Sequence, residues 1–151
     1  MLSVLFLDVD GVLNNKFTKT FRSKFFDFEN VFQLDRIIQE TNCKIVISSG
    51  WRLAGLNCID EQIETACIEN KDMVDRIKSA IMDRTPDYVQ DSLVRGDEIQ
   101  AWMDNNNFTG RFVIIDDVPD MAHLMDHLVL TKNHGLTKEL ADKAILLLSG
   151  D

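Results

Sequence analysis

Residues 2–15 read Leu-Ser-Val-Leu-Phe-Leu-Asp-Val-Asp-Gly-Val-Leu-Asn-Asn, and this stretch decides the fold. Val4 to Leu7 is apolar without alternation, which predicts a strand that is buried on both faces. Asp8 and Asp10 follow the carboxyl end of that strand, the edge at which open α/β sheets bind ligands. Gly11 then allows a turn that a Cβ atom would hinder. The stretch therefore predicts a buried strand that delivers two carboxylates to a ligand-binding edge.

The two carboxylates have two interpretations. In the first, Asp8 and Asp10 close a strand with an acidic turn, which is common for an isolated Asp-x-Asp. Alternatively, their mutual repulsion is relieved by a cation or a shared proton, as in a metal-assisted phosphoryl-transfer site. Mg²⁺ suits such a site, because it takes oxygen ligands from one or two carboxylates and from substrate phosphate. Further acidic residues at the end of another strand would favour the second interpretation.

Composition and charge limit the function classes. The length of 151 residues predicts a single domain over residues 1–151. The formal net charge is −9. The sequence pI is about 4.7, which disfavours strong independent nucleic-acid binding, since that relies on basic patches. The acidic balance does not exclude binding of a terminal phosphate through a metal.

Targeting and cysteine patterns indicate a cytoplasmic location. No apolar run approaches the roughly 20 residues that span a bilayer, so no membrane association is expected. The first residues lack a basic segment and a small-residue cleavage site, which argues against a signal peptide. Cys43, Cys58 and Cys67 are odd in number and lack Cys-x-x-Cys spacing. They predict neither a disulfide framework nor a zinc site, which fits a reducing compartment.

Hydrophobic periodicity predicts strands that alternate with helices. This order is typical of an α/β protein with a parallel sheet and right-handed crossovers. Residues 83–91 are predicted as a loop. For residues 53–85 two interpretations stay open: plain helix-loop-helix, or one short extra strand near residues 81–82. The phenylalanines of residues 15–30 are predicted mainly to fill a small satellite core, the alternative being a substrate-facing flap. The predicted helices are 31–41, about 56–67, about 73–81, 96–106 and 138–148, with Pro119 in the first turn of another, and the further strands are 44–48, 111–115 and 128–130.

Polar groups end three of the apolar strands. Asp8 and Asp10 end the first, and parallel strands bring their carboxyl ends to one edge of a sheet. One acidic strand end is weak evidence, whereas two acidic ends with a hydroxyl-bearing end between them are much stronger. The other two strand ends are Ser48-Ser49 and Asp116-Asp117.

These motifs resemble the haloacid dehalogenase (HAD) superfamily over nearly the whole chain. The first family motif is matched by Asp8-Val-Asp-Gly-Val12, the second by Ile45-Val-Ile-Ser-Ser49 and the fourth by Val113-Ile-Ile-Asp-Asp117. Ser49-Gly-Trp-Arg52 and Arg95-Gly-Asp-Glu-Ile99 are also similar to small HAD domains found alone or in RNA-repair proteins. The resemblance implies a Rossmann-like three-layer sandwich with a mostly parallel sheet and a minimal cap or none.

The resemblance implies a Mg²⁺-dependent phosphatase that works through an aspartyl-phosphate. Attack by a carboxylate on a phosphoryl group needs the phosphate charge to be neutralised. Asp8 would be the nucleophile, and Asp10 would protonate the leaving oxygen and then activate water. Asp8, the main-chain carbonyl of Asp10 and Asp116 would hold Mg²⁺, while Asp117 and Asp120 would lie in or around the metal site.

The substrate phosphate would be held by hydroxyl and cationic groups. Ser49 would donate to a phosphate oxygen, with Ser48 as the alternative by one residue of register. The third family motif usually has Lys; here Arg95 is the best-positioned cation and Lys78 is the second choice. The guanidinium fork of Arg95 suits phosphate oxygens. The predicted substrate-binding set is Ser48, Ser49, Gly50, Arg52 and Arg95.

The short segments between motifs hold no large cap. In the family, a cap closes over small substrates, so an open site implies either a bulky substrate (a nucleotide, a nucleic-acid end or a phosphoprotein) or a partner that covers the site. The alternative function is a catalytically weak HAD-like binding or regulatory module that works with a partner. Such a module should have lost Asp8 or Asp10, and both are present.

Overall fold

The computed structural model describes residues 1–18, 26–50, 55–86 and 94–150. Within these residues, strands and helices follow one another along the chain as the sequence predicts. None of the described helices has the length and apolarity needed to cross a membrane. The strands are β1 (Val4–Leu7), β2 (Lys44–Ile47), β3 (Ile81–Arg84), β4 (Phe112–Asp116) and β5 (Leu128–Leu130), and the helices are α1 (Phe28–Thr41), α2 (Leu56–Ala66), α3 (Lys71–Ala80), α4 (Arg95–Asn105) and α5 (Lys138–Ser149), with a 3₁₀ helix over Ala122–His127.

The five strands form one parallel sheet in the order β3-β2-β1-β4-β5. β1 is the central strand, and Leu7 pairs with Ile47 of β2 on one side and Ile115 of β4 on the other. The chain builds the sheet outward from β1 to β3 and then crosses to β4. The strand order therefore reverses between β1 and β4, the point at which open α/β sheets bind ligands.

Both faces of the sheet are covered by apolar side chains. Leu5 and Leu7 enter a large core with residues of α1, α2, α3 and α5, whereas Val4 and Phe6 enter a smaller core with α4. Burial on both faces explains the apolar run without alternation in β1. The predicted α/β fold, a Rossmann-like three-layer arrangement, is confirmed.

The described residues contain no separate cap domain. Between β1 and α1 they form turns, and between β2 and β3 they form α2 and α3. Ile59 and Ile63 of α2 and Ile77 of α3 are fully buried in the same large core as β1. These two helices therefore belong to the sandwich. The single-domain organisation over residues 1–151 stays a prediction.

Side-chain caps fix the amino ends of α1 and α5. The Asp27 carboxylate accepts hydrogen bonds from the backbone N–H groups of Glu29 and Asn30 at the start of α1. Thr137 caps the start of α5, where its hydroxyl accepts a hydrogen bond from the Leu140 N–H. Each cap satisfies donors that the first helical turn leaves without a partner.

Three local predictions differ from the structure. The short extra strand near residues 81–82 is present as β3 and runs on to Arg84, so the loop expected from residue 83 begins later. An edge strand needs only the partial burial that Ile81 and Asp83 show. The helix expected around Pro119 is a short 3₁₀ helix that starts only at Ala122. Of the phenylalanines, Phe26 lies in the main core and Phe17 is 60% exposed, so neither fills a satellite core. Phe21 and Phe25 lie outside the described residues.

Candidate active site

Asp8, Ser48 and Asp116 lie side by side at the carboxyl edge of the sheet. They directly follow three residues that pair across the sheet: Leu7 of β1, Ile47 of β2 and Ile115 of β4. The Asp8 N–H donates to the Ile115 carbonyl at 3.0 Å, and the Ser48 N–H donates to the Leu7 carbonyl at 2.9 Å. We call these three residues the strand-end row.

The strand-end row faces α4. Two positions earlier, the three strands place Phe6, Val46 and Ile114 in the smaller core that α4 covers. Alternate residues of a strand point to the same face, so the side chains of the row follow these three residues. The apolar pattern of the strands thus sets the direction of the polar groups that end them.

Arg95 is the first residue of α4 and brings a guanidinium group to this row. Its Nη1 lies 3.7 Å from Oδ1 of Asp8 and 3.9 Å from Oδ2 of Asp116. Its Nε lies 3.3 Å from a carboxylate oxygen of Glu98 on the next turn. Lys78, the second choice for this position, pairs instead with Glu64. The structure therefore brings Arg95, and not Lys78, to the two acids.

The loop after β4 holds the amino end of α4 in place. The backbone N–H of Arg95 donates to the Asp120 carboxylate at 3.4 Å, and that of Gly96 donates to the Asp120 carbonyl at 3.1 Å. A Cβ atom at Gly96 would come within 2.1 Å of the Met121 carbonyl oxygen. Only glycine permits this approach, and the approach fixes the position of Arg95 at the start of α4.

Three carboxylates converge beside the guanidinium group. One oxygen from each of Asp8, Asp116 and Asp117 lies within 4.8 Å of the others. Asp8 and Asp116 are 7% and 3% exposed, so their charges are poorly solvated. Asp117 packs against Gly11, where a Cβ atom would come within 2.3 Å of its Oδ2.

Burial makes the negative charge of these acids costly. Desolvation, reinforced by the charge of Asp116, raises the pKa of Asp8 to about 8, although Arg95 opposes the shift. Desolvation also raises the pKa of Asp116 to about 6. A raised carboxyl pKa means that the site favours a bound proton or a bound cation over bare charge.

The donor set fits a hard divalent cation. Carboxylate oxygens are the ligands that Mg²⁺ takes, usually together with water and substrate phosphate. Oδ2 of Asp116 is buried and has no hydrogen-bond partner among the described residues, which leaves it available as a ligand. Asp8, Asp116 and Asp117 could hold the ion through their side chains.

Asp10 occupies a different position, with its carboxylate outside this trio. Its Oδ1 accepts a hydrogen bond from Nδ2 of Asn14 at 3.0 Å, while the Gly11 N–H donates to Oδ1 of Asn14 at 2.8 Å. Asn14 therefore orients Asp10 on the turn after β1. Sequence reasoning missed this role, because Asn14 looks like an ordinary turn residue.

Both serines after β2 are buried. Ser48 belongs to the strand-end row, and its Oγ has no hydrogen-bond partner among the described residues. Ser49 is 2% exposed and lies in the bend that follows. Gly50 is exposed, with open space where a Cβ atom would lie. Arg52 lies outside the described residues.

Thr131 is a further residue of this edge that sequence reasoning missed. Its hydroxyl donates to the Gly11 carbonyl at 2.7 Å, and its N–H donates to the Asp116 carbonyl at 2.9 Å. It therefore ties the end of β5 to the turn that carries Asp10. The only signal in the sequence is a hydroxyl residue directly after a short apolar strand, which is weak.

Comparison with known proteins identifies the family. The family model described as the HAD domain in Swiss Army Knife RNA repair proteins matches residues 4–141. No curated protein and no solved structure matches the chain. The matched range includes all five strands, both acidic strand ends and Arg95. The chain therefore belongs to the family of HAD domains found in Swiss Army Knife RNA repair proteins.

Proposed function

We propose that this protein is a Mg²⁺-dependent phosphatase that acts through an aspartyl-phosphate on a bulky phosphorylated substrate, such as a nucleotide or a nucleic-acid end. One observation carries the proposal: Arg95 lies beside both Asp8 and Asp116, which converge with Asp117. A nucleophilic carboxylate, further acids for a cation and a cation for phosphate oxygens are the parts that phosphoryl transfer to an aspartate needs.

The first step is attack by Asp8. A carboxylate oxygen of Asp8 forms a bond to phosphorus as the bond from phosphorus to the leaving oxygen breaks, and Asp10 donates a proton to that oxygen. Arg95 neutralises charge on the phosphoryl oxygens. Asn14 supports this role of Asp10, because it holds the Asp10 carboxylate on the turn that follows Asp8.

The second step releases phosphate. Asp10, now a carboxylate, takes a proton from water, and the water oxygen attacks phosphorus. The bond between phosphorus and the Asp8 oxygen breaks, which restores Asp8 and frees inorganic phosphate. Asp10 thus acts first as an acid and then as a base, and the second step restores the proton that it lost in the first.

Mg²⁺, when bound, would neutralise phosphate charge and align the phosphoryl group with Asp8. The carboxylates of Asp8 and Asp116 and the main-chain carbonyl of Asp10 would hold it, with Asp117 beside them. The raised pKa of Asp8 supports a cation here, since bare charge at this position is disfavoured.

For the phosphate-binding hydroxyl, the strand-end row favours Ser48 over Ser49. Oγ of Ser48 is buried without a partner in the described residues, on the face that carries Asp8. A phosphate oxygen beside Asp8 would give this hydroxyl its missing acceptor. Roles for Ser49, Gly50 and Arg52 in substrate binding stay predictions.

A bulky substrate is supported by two observations. The described residues hold no separate cap, so nothing in them encloses a small substrate. The matched family is named for RNA-repair proteins, which favours a nucleic-acid end over a phosphoprotein. The acidic net charge of −9 favours recognition of a phosphorylated end over tight binding along a long strand.

Phosphate release from p-nitrophenyl phosphate and from 3′- and 5′-phosphorylated oligonucleotides, with Mg²⁺ or EDTA, tests the proposal. We expect release that needs Mg²⁺ and falls by about a thousandfold or more in Asp8→Asn. Asp126→Asn, on the exposed 3₁₀ helix, is the matched control and should retain activity. No release from any compound while Mg²⁺ still binds would contradict the proposal and favour a binding module.

A further inference from the structure

A cleft of about 520 Å³ between β5 and α5 has an unusual charge for this acidic protein. We call it the β5–α5 cleft. Among the described residues that line it, the ionisable ones are two lysines and a histidine, and none is acidic. The lining residues are Leu128, Val129, Leu130, Lys132, His134, Gly135, Thr137, Leu140 and Lys143.

The two lysines are free to bind a ligand. Lys132 and Lys143 are exposed, and neither makes an ion pair within the described part of the chain. The acid next to Lys143 in sequence, Asp142, is already paired with Arg36 and Lys138. The cleft is therefore a local positive site on a chain of net charge −9.

An exposed aromatic pair continues the cleft. The ring of Phe17 stacks on that of His134, with centroids 4.9 Å apart and planes 27° apart. His134 lines the cleft, whereas Phe17 leaves 60% of its surface exposed. Nζ of Lys16 lies 5.9 Å from the centroid of the Phe17 ring. The pair offers a flat apolar surface beside positive charge.

Hydrogen bonds hold the backbone at both aromatic residues. Oδ1 of Asn15 accepts from the Phe17 N–H at 2.8 Å, and Nδ2 of Asn15 donates to Oδ1 of Asn30 at 2.9 Å. Nδ2 of Asn30 in turn donates to the His134 carbonyl at 3.0 Å. Because the backbone is held in this way, less chain freedom is lost when a ligand stacks on Phe17.

One lysine of the cleft, Lys132, lies close to the carboxyl edge of the sheet. Thr131, which precedes Lys132, bonds to the carbonyls of Gly11 and Asp116. A nucleic-acid chain that runs from a terminal phosphate at Asp8 past the turn at Gly11 would therefore reach Lys132 first. Proteins that bind single-stranded nucleic acid combine a positive groove with aromatic rings on which bases stack.

We infer that the β5–α5 cleft binds the single-stranded RNA that leads to the phosphorylated end. Lys132 and Lys143 contact backbone phosphates, and one base stacks on Phe17. This inference rests on the proposed function, and it adds where the rest of the substrate lies. Single-stranded RNA fits better than a duplex, because stacking on a protein ring needs an unpaired base.

The test compares a 3′- or 5′-phosphorylated RNA hexamer with p-nitrophenyl phosphate. The variants are Phe17→Leu and the double change Lys132→Gln with Lys143→Gln. Lys44→Gln is the matched control, because Lys44 begins β2, which β1 and β4 separate from β5. Circular dichroism establishes that each variant is folded. The measured quantity is kcat/KM for RNA divided by kcat/KM for p-nitrophenyl phosphate.

We expect this ratio to fall about tenfold in Phe17→Leu, the loss typical of one stacked base. In the double lysine variant, the slope of log(kcat/KM) for RNA against log[salt] should become shallower by about 1.4, or about 0.7 for each lost phosphate contact. Lys44→Gln should match the wild type in both quantities. Ratios and slopes equal to wild type in every variant would overturn the inference.

A binding assay tests the RNA cleft independently of catalysis. Fluorescence anisotropy of the labelled hexamer, measured on the Asp8→Asn background with the same variants, needs no turnover. If neither substrate is hydrolysed but Phe17→Leu and the double lysine variant weaken RNA binding, the proposed function fails and the RNA cleft stands. If hydrolysis of p-nitrophenyl phosphate needs Mg²⁺ but RNA binding is the same in all variants, the RNA cleft is contradicted and the proposed function is kept.

Discussion

The α-carbon of Gly96 lies so close to Met121 that a Cβ atom there would come within 2.1 Å of the Met121 carbonyl oxygen. The contact joins the first turn of α4 to the loop after β4, and the neighbouring hydrogen bond from Gly96 N–H to the Asp120 carbonyl fixes its register. Arg95 precedes Gly96 directly, so this approach decides how far the guanidinium lies from Asp8.

Gly96→Ala should separate α4 from that loop and move Arg95 away from the acids. Overpacking of this kind costs about 1–3 kcal/mol of unfolding free energy, so thermal unfolding should occur several degrees lower. We expect kcat/KM for p-nitrophenyl phosphate to fall at least about tenfold while Mg²⁺ still binds. Asp104→Ala, on the exposed side of the same helix, is the control. Full activity in Gly96→Ala would show that Arg95 does not depend on this contact.

The pKa of Asp8 predicts how stability changes with pH when no metal is bound. The folded protein holds a proton on Asp8 up to a pKa of about 8, whereas the unfolded chain releases it near 3.8. Between these values the native state binds more protons, so the free energy of unfolding falls as pH rises. In EDTA, the wild type should lose stability from pH 5 to pH 8.

Asp8→Asn removes this proton linkage and should flatten the pH dependence. At pH 8 in EDTA, we expect the variant to be more stable than the wild type, with each kcal/mol raising the melting temperature by about 2–4 °C. Asp126→Asn, which changes an exposed acid, should follow the wild type. If the Asp8→Asn curve runs parallel to that of the wild type, Asp8 is not the group that holds the proton.

Mg²⁺ should stabilise the folded protein, because only the folded chain brings the three carboxylates together. At a concentration about 100 times its dissociation constant, the ion should add about 2.7 kcal/mol to the unfolding free energy. At a fixed Mg²⁺ concentration, the gain should be larger at pH 8 than at pH 6, since protons on Asp8 and Asp116 compete with the ion and weaken its binding. EDTA should reverse it.

Variants of the metal site make this prediction specific. Asp116→Asn should greatly reduce the Mg²⁺-dependent rise in melting temperature, and Asp117→Asn should reduce it in part. The exposed Asp126→Asn should keep the full rise. An equal rise in Asp116→Asn and in the wild type would place the ion elsewhere on the protein.

The central part of the fold and of the candidate site could be predicted from short stretches of sequence. Leu7 is apolar because both faces of β1 are buried, and the polar residue that follows must lie at the edge of the sheet. The same rule places Ser48 and Asp116 beside Asp8. β3 was harder to predict, because an edge strand with residues such as Asp83 shows no continuous apolar run.

Contacts between distant parts of the chain could not be predicted, because they leave no pattern in the local sequence. Thr131 and Gly11 are 120 residues apart in sequence, yet they share a hydrogen bond at the candidate site. The need for glycine at residue 96 likewise depends on where Met121 lies after the sheet has formed. Such pairs follow from the folded geometry, whereas propensity and periodicity describe only neighbours in sequence.

Asn30 gives the last prediction, because one side chain joins three segments near the proposed RNA cleft. It is 3% exposed. Its Nδ2 donates to the carbonyls of His134 and Leu136 at 3.0 Å each, and its Oδ1 accepts from Asn15. Both donors face carbonyl oxygens, so a group without N–H cannot replace them.

Asn30→Asp keeps the size of the side chain but places a carboxylate against two carbonyl oxygens. We expect a loss of about 2–4 kcal/mol of unfolding free energy at pH 7, from unsatisfied and repelling buried groups. The loss should shrink at low pH as the new carboxyl group gains a proton and recovers one donor. Asn57→Asp, at an exposed position in the first turn of α2, is the control and should change stability little. Urea unfolding at pH 7 and pH 4 measures both, and a small loss for Asn30→Asp at pH 7 would mean that these three segments are held together by other contacts.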